Sequence, residues 1–277
     1  MNARSLKKHY LESLYPFEKR LSDEFHALHE KVRFDLILSA AKIKSIDVTL
    51  DAGCGTGFLS IEAAKKGAYV VGLDVSKPNL HMLRRKTKIK NLTNLNIVLG
   101  DIEKLPFKIE TFTFIICTET LEHIINIDNA LSELRMVLRK AGGTIITVPN
   151  ILWIWRWLLP LRKKDYYLLI HKPWKVFSYY RKKWKNLLNG LLNGFTKENE
   201  NWNSLFHCIF GSKYFKHLIS KYFKIEDSKS TFKGFYWTLP LIPISIQRKI
   251  AMALNTNTSI LRNFGVQLLV LGKKEHT

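Results

Sequence analysis

Residues 48–57 read VTLDAGCGTG, an apolar run closed by Asp51 and followed by Gly53, Gly55 and Gly57 at every second position. Glycine lets a chain turn tightly and come close to a ligand with no side chain between them. The apolar run reads as a strand and GFLSIEAAKKG (57–67) as a helix, so the loop lies where a strand ends and a helix N-terminus begins. Its spacing departs from both nucleotide-phosphate loops. A dinucleotide loop needs Gly-x-Gly-x-x-Gly, and position 58 is not glycine; a triphosphate loop needs Gly-Lys-Ser/Thr, where this chain has Gly57, Phe58 and Leu59. Neither a pyrophosphate nor a triphosphate is the expected occupant.

The same period extends outward from the loop. YVVGLD (69–74), LNIVLGD (95–101), FTFIICT (112–118) and TIITVPN (144–150) read as strands. Between them lie a basic helix over 77–90 and a second helix over 127–140, with Gly142 and Gly143 as the turn before the last strand. Apolar strands alternating with helices predict a parallel sheet covered on both faces. Upstream, residues 1–45 read as helical: one helix near 3–14, a break at Pro16, and a longer helix over 18–42 with an apolar stripe of Leu21, Phe25, Leu28, Val32 and Leu36. Downstream of Pro149 the alternation disappears and helices and loops are expected. It resumes in YFKIEDSKSTF (222–232) and FGVQLLVLGKK (264–274), two strands that can close the sheet as an antiparallel pair.

The chain has 277 residues, 46% of them hydrophobic, enough to bury a real core. Its 44 Lys and Arg against 23 Asp and Glu give a net charge of +21, which favours acidic partners without choosing among nucleic acid, anionic lipid and acidic substrate. Cys54, Cys117 and Cys208 show no metal-ligand spacing, and their odd number fits a reducing compartment. The charged N-terminus does not look like a secretory signal, and no run of about 18 uncharged apolar residues marks a membrane span. The expectation is a cytoplasmic protein, with attachment to a membrane surface left open.

Two acids fall at strand ends beyond the loop. Asp74 closes the second strand, where a carboxylate can accept both hydroxyls of a ribose. Asp101 closes the third in GDIEKLPF, where it can accept from an adenine amino group while Ile102 and Leu105 offer apolar surface; the plainer alternative is that Asp101 caps the turn that follows. LDAGCGTGFLSIEAAKKG, VVGLDVS, GDIEKLPF, FTFIICTETLEHI and LRMVLRKAGGTIITVPN follow one another as in class I S-adenosylmethionine-dependent methyltransferases. The chain resembles in particular the small-molecule branch that includes ubiquinone-biosynthesis enzymes, well over residues 46–150 and in outline elsewhere.

That resemblance implies an α/β, Rossmann-like fold: a seven-stranded, mostly parallel sheet with helices on both faces and a helical, basic-aromatic insertion. Residues 1–45 would be helices covering the cofactor site, 46–150 the S-adenosylmethionine-binding core, 151–221 a helical cap for the acceptor, and 222–277 strands completing the sheet. It also implies that Asp51, Gly53 and Gly55 hold the amino-acid part of the cofactor, Asp74 the ribose, and Asp101 with Ile102 the adenine. Thr118 would lie near the sulfonium methyl.

A sulfonium methyl is already activated, so the protein must chiefly align the acceptor and exclude water; a base is needed when a phenol, hydroxyl or acidic carbon must lose a proton. His123 in ETLEHI is the first candidate base, and His207 in LFHCIFGSKYF a second. The Glu119, Glu122, His123 arrangement also resembles that of ubiquinone-pathway O-methyltransferases and small-RNA 2′-O-methyltransferases, where it can hold a divalent ion. Against this stands a purely structural role in shaping the loop, and no residue is assigned to a metal.

Residues 151–232 carry thirteen Lys and three Arg against five acids, interleaved with large rings in ILWIWRWLLPLRKK and YYRKKWKNLLNGLLNGF. Rings beside basic residues suit a segment lying in a membrane interface, which favours a hydrophobic or lipid-like small acceptor and an anionic surface as partner. The same residues can stack bases and pair phosphates, so RNA stays as an alternative, less favoured because the tryptophans sit among leucines and isoleucines. A non-catalytic S-adenosylmethionine-binding protein is the third reading; the intact cofactor loop weighs against it.

Overall fold

A computed structural model describes residues 24–150, 195–199, 206–231 and 267–275, with isolated helical positions between 181 and 193. Its first described element is α1 (Glu24–Ala41). Strand β1 (Val48–Ala52) leads through the glycine loop into α2 (Phe58–Lys65), then come β2 (Tyr69–Asp74), α3 (Lys77–Ile89) and β3 (Leu95–Leu99). After β4 (Phe112–Thr118) a single 3-10 turn, Leu121–His123, precedes α4 (Ile127–Val137) and β5 (Leu138–Pro149). A hairpin of β6 (Phe195–Asn199) and β7 (Phe206–Phe210), α5 (Ser212–Ser220), β8 (Lys224–Thr231) and β9 (Gln267–Lys273) follow.

Seven strands form one sheet in the order β3-β2-β1-β4-β5-β9-β8. Pairing is parallel from β3 to β5, while β9 runs antiparallel between β5 and β8. The terminal antiparallel pair is thus where the late alternation in the sequence put it. The chain builds outward from β1 to β3, then crosses back to lay β4 on the other side of β1. That reversal leaves a crevice above the carboxyl ends of β1 and β4, the place where open α/β sheets bind ligands.

The two faces of the sheet carry separate cores. On one, α4 and α5 bring Leu131, Leu134, Phe215 and Leu218 against Leu50, Ile115 and Ile146. On the other, Phe34 and Ile37 of α1, Leu59 and Ala63 of α2, and Leu80 and Leu83 of α3 meet Val70, Ile116 and Ile145. Each fully buried side chain of this kind contributes about 1.5–3 kcal/mol of apolar transfer, which is what fixes the helices on the sheet.

Three expectations change in detail. The buried face of α1 runs through Glu30, Arg33, Phe34, Ile37 and Ala41, while Leu36 is only half-buried. Phe34 and Ile37 turn inward because the Phe34 ring stacks on Phe58, centroids 4.0 Å apart. The side chains at 21, 25, 28 and 32 lie outside the described residues, as does the helix expected near 3–14. Second, α4 stops at Val137 and β5 begins at once; Gly142 and Gly143 lie inside that strand. The pairing with β4 slips between Phe112↔Leu138 and Phe114↔Gly143, so the extra residues are taken up in a bulge. Gly143 is required there because a Cβ would strike the Phe114 ring. Third, the insertion contains the β6–β7 hairpin in addition to helix. Much of 151–221 lies outside the described residues.

Candidate active site

The glycine loop folds back onto β2. The backbone N–H groups of Gly53 and Cys54 both donate to the Leu73 carbonyl, at 2.8 and 3.0 Å. Gly53, Gly55 and Gly57 have φ of 77°, 54° and 81°, the left-handed region that other residues enter only with strain. Asp74, at the tip of β2, takes the Gly55 N–H on Oδ2 and the Ser76 N–H on Oδ1, both at 2.8 Å. Ser76 in turn caps α3 by accepting the Asn79 N–H. One carboxylate therefore ties the loop to the helix two elements on.

Asp51 lies deeper, 2% exposed at the end of β1, where Ser60 of α2 donates to Oδ2 at 2.5 Å. Burial pushes its carboxyl up to about 6; the Ser60 hydrogen bond pulls it back and the charge of Asp74 adds to the rise. Asp74 is also raised, by burial first, with the Ser76 and Gly55 N–H groups opposing. Two carboxylates are thus held against their preference for water beneath one loop, a cost that a functional site commonly explains.

The loop's geometry fits a ligand of the size and polarity the sequence implies. A Cβ on Gly55 would meet nothing within 4 Å, so this backbone faces open space. The Asp74 carboxylate at the tip of β2, bonded by the Gly55 and Ser76 N–H groups and also by Asn79 and Val75, is the acceptor nearest this open backbone. Asp101 caps its own turn: Oδ1 accepts the Glu103 N–H at 2.9 Å and its carbonyl the Lys104 N–H. Ile102 is packed into the core, 3% exposed, so its contribution is to hold this wall in place.

Across the crevice, β4 ends in Thr118, half-buried and in register with Thr147 of β5. Glu119 follows with φ 51°, an uncommon conformation for a side chain of this kind. Its N–H donates to the Thr147 carbonyl, its Oε1 accepts from Thr147 Oγ1 at 3.2 Å, and Gln267 of β9 also bonds it. The 3-10 turn then buries Glu122 and leaves His123 partly exposed, its Nε2 3.8 Å from Glu122 Oε1. Burial raises both glutamates; Glu119 pushes Glu122 further, and the Arg33 guanidinium pulls each of them back.

His207 sits on β7 opposite Glu198, and β7 packs against the turn that carries His123 and is bridged from Phe210 to Asn150 at the end of β5. The hairpin therefore brings the two candidate histidines onto neighbouring elements. Among the described residues no group of three or more His, Cys, Asp and Glu side chains is arranged to hold a metal ion. Sequence reading did not find Glu30, Arg33, Thr120 or Gln267. Thr120 lies within ETLEHI and Gln267 within the last strand, but nothing in their spacing marks them, and Glu30 and Arg33 lie in no motif; their partners are set by tertiary packing.

Residues 50–146 match the model of a methyltransferase domain family. Over this segment the chain is similar to methyltransferase domains. Among its relatives are the ubiquinone biosynthesis O-methyltransferase of Pelagibacter ubique, 32% identical over 46% of this chain and 57% of that protein. The demethylmenaquinone methyltransferase of Streptomyces avermitilis is 36% identical over 40% of this chain and 46% of that protein. The chain spans about half the length of the curated relatives it matches. The solved S-adenosylmethionine-dependent methyltransferase of Mesorhizobium loti superposes with TM-score 0.58 at 15% identity, covering 86% of this chain and 96% of its own. At that identity the likeness speaks for the fold. The matched segment takes in the whole glycine loop, Asp74, Asp101 and the β4 end, while the hairpin, α5, β8 and β9 lie beyond it.

Proposed function

We propose that this chain transfers the methyl group of S-adenosylmethionine to an oxygen of a hydrophobic, quinone-like small molecule. The observation that carries the cofactor half is the clamp of Asp74 on Gly55 beside an open backbone at the topological switch point. On this reading Asp51, Gly53 and Gly55 hold the amino-acid end, Asp74 accepts the ribose hydroxyls, Asp101 and Ile102 form the adenine wall, and Thr118 borders the methyl end. Bound S-adenosylmethionine supplies a methyl carbon already activated on a sulfonium. The protein's own work is to align the acceptor oxygen, keep water out and take its proton.

His123 is the proton acceptor in this proposal. It is partly exposed at the crevice, and Glu122 stands 3.8 Å from Nε2, placed to steady the imidazolium once it forms. His207, on the strand that packs against this turn, is the second candidate group for the acceptor. The acceptor class is supported by the names of the relatives, one an O-methyltransferase of ubiquinone biosynthesis and one acting on demethylmenaquinone. The basic-aromatic stretch over 151–194 would bring the chain to an anionic lipid surface on the cytoplasmic side, where such acceptors dissolve. Among the described residues no helix is long and apolar enough to cross a membrane.

The test is calorimetric titration of S-adenosylmethionine into the wild type and Asp74→Ala, followed by transfer of labelled methyl to alkylated phenols and hydroquinones with and without anionic vesicles. Micromolar binding lost in the variant, and label recovered as a methyl ether, support the proposal. Absence of binding by folded wild-type protein sinks it.

A further inference from the structure

The 26 residues from Val75 to Gly100 contain six Lys and Arg and no Asp or Glu. Most of that charge sits on α3, which packs chiefly against β3, the edge strand of the sheet. The helix buries Asn79, Leu80, Leu83 and Thr87 and turns Lys77, His81, Arg84, Arg85 and Lys88 outward, a spacing that keeps them on one exposed face along its whole length. Lys90, at the C-cap, extends that face. Lys86 is the exception, its Nζ reaching back to the Thr56 carbonyl of the glycine loop at 3.3 Å. Among the described residues none of Lys77, Arg84, Arg85, Lys88 and Lys90 pairs with an acid.

Helix physics accounts for only part of this face. Lys88 gains from the carbonyl end of the helix dipole, but Lys77 stands in the first turn against it, and no acid accompanies it there. Arg84 and Lys88, four residues apart, and Arg85 and Lys88, three apart, repel one another. An anionic surface laid on the face removes that cost. The apolar side chains decide which kind of surface. Ile89 is 70% exposed between Lys88 and Lys90, and Leu99 at the end of the edge strand is 48% exposed. The same segment has no Phe, Tyr or Trp on which a nucleic-acid base could stack. A single aliphatic side chain between lysines suits a headgroup boundary: the isoleucine enters, and the lysine stems lie along the apolar layer with their charges among the phosphates.

We propose that the outer face of α3, with Ile89 at its end, is a docking surface for an anionic lipid bilayer. The contact is electrostatic along Lys77, Arg84, Arg85 and Lys88 and apolar at Ile89. It is separate from the 151–194 stretch and holds whether or not that stretch reaches lipid, and it needs nothing from the methyl-transfer reading. It also gives the attachment a direction. Ser76, which caps α3, lies two residues past Asp74, and the helix runs about 20 Å from there along the flank of the sheet. A domain seated on this face keeps the crevice beside the lipid surface.

The experiment is co-sedimentation of the full chain with vesicles of phosphatidylcholine alone and of phosphatidylcholine mixed with phosphatidylserine. It compares the wild type, the triple variant Arg84→Ala, Arg85→Ala, Lys88→Ala, and Ile89→Ser, each checked for native thermal unfolding; all four side chains are exposed, so the core is left intact. The expected result is a wild type that binds the serine-containing vesicles and is released by high salt. The triple variant should bind about 100-fold more weakly, about fivefold for each cation removed, and Ile89→Ser about tenfold more weakly. A triple variant that binds like the wild type overturns the proposal and leaves the 151–194 attachment standing. Ile89→Ser binding like the wild type overturns the apolar contact and with it the preference for a bilayer. So does a single-stranded RNA that the wild type binds more tightly than vesicles and the triple variant does not bind. A wild type that binds neither vesicle overturns both surface attachments and leaves the cofactor reading to its own titration.

Discussion

Thr120 fills the volume into which a side chain at residue 53 would grow. The contact joins the turn after β4 to the loop after β1, the two sides of the crevice, and Thr120 Oγ1 also donates to the Thr118 carbonyl at 3.1 Å. Gly53 is therefore constrained twice, by its φ of 77° and by its neighbour.

Replacing Gly53 by Ala should cost more than backbone strain alone, about 2–4 kcal/mol in total. Thr120→Ala relieves the collision and leaves the strain, so the double variant should recover part of the loss. A double-mutant cycle in urea gives the coupling directly; an additive result would mean the turn moves aside without penalty.

Asp51→Asn should make the ligand-free protein more stable at neutral pH. The folded carboxyl sits at about 6 against 3.8 in the unfolded chain, so the folded state keeps a proton that the unfolded state loses. Stability present below 3.8 is then lost as pH rises to 6 and stays lost above it, about 3 kcal/mol for a shift of this size. Denaturant unfolding from pH 4 to 8 should show the wild type weakening across that window and the variant doing so less; Asp74, raised in the same direction, supplies the remainder. The same variant should bind S-adenosylmethionine less well.

Asp74→Asn separates the two duties of that side chain. Its oxygen can still accept one N–H, so the fold should survive with a loss of about 1 kcal/mol, while cofactor affinity drops about tenfold or more through the lost ribose acceptor. Parallel thermal unfolding and calorimetry decide this. A variant that loses stability and keeps affinity would make Asp74 a loop staple alone.

His123→Gln should lower kcat by about 100-fold or more on a hydroxyl acceptor with little change in cofactor affinity, and His207→Gln should act mainly on the acceptor's KM. Steady-state kinetics on an alkylated phenol distinguishes them, and the reverse pattern would exchange their roles.

Much of this molecule was legible in its order of residues because strand and helix periods, and the need for glycine in a left-handed loop, are local facts. VTLDAGCGTG, YVVGLD and FTFIICT mark their strands almost to the residue, and the acids at their ends follow from where such strands stop. The metal-like ETLEHI shows the limit. Its spacing suggests a ligand set, but whether those side chains converge depends on the backbone at Glu119 and on a 3-10 turn, neither of which a spacing encodes. Glu30 and Arg33 illustrate it further: on an amphipathic helix charged residues read as solvent-facing, and only the stacking of Phe34 on Phe58 turns them inward. Likewise Gln267 reaches Glu119 because β9 enters the sheet beside β5, a pairing between segments far apart in the chain. The sequence by itself determined the sheet, the loop and the cofactor class. Tertiary packing alone decided which carboxyl groups are buried and what faces them, since burial and long-range pairing set the energy of a carboxyl group and neither is written in its neighbours.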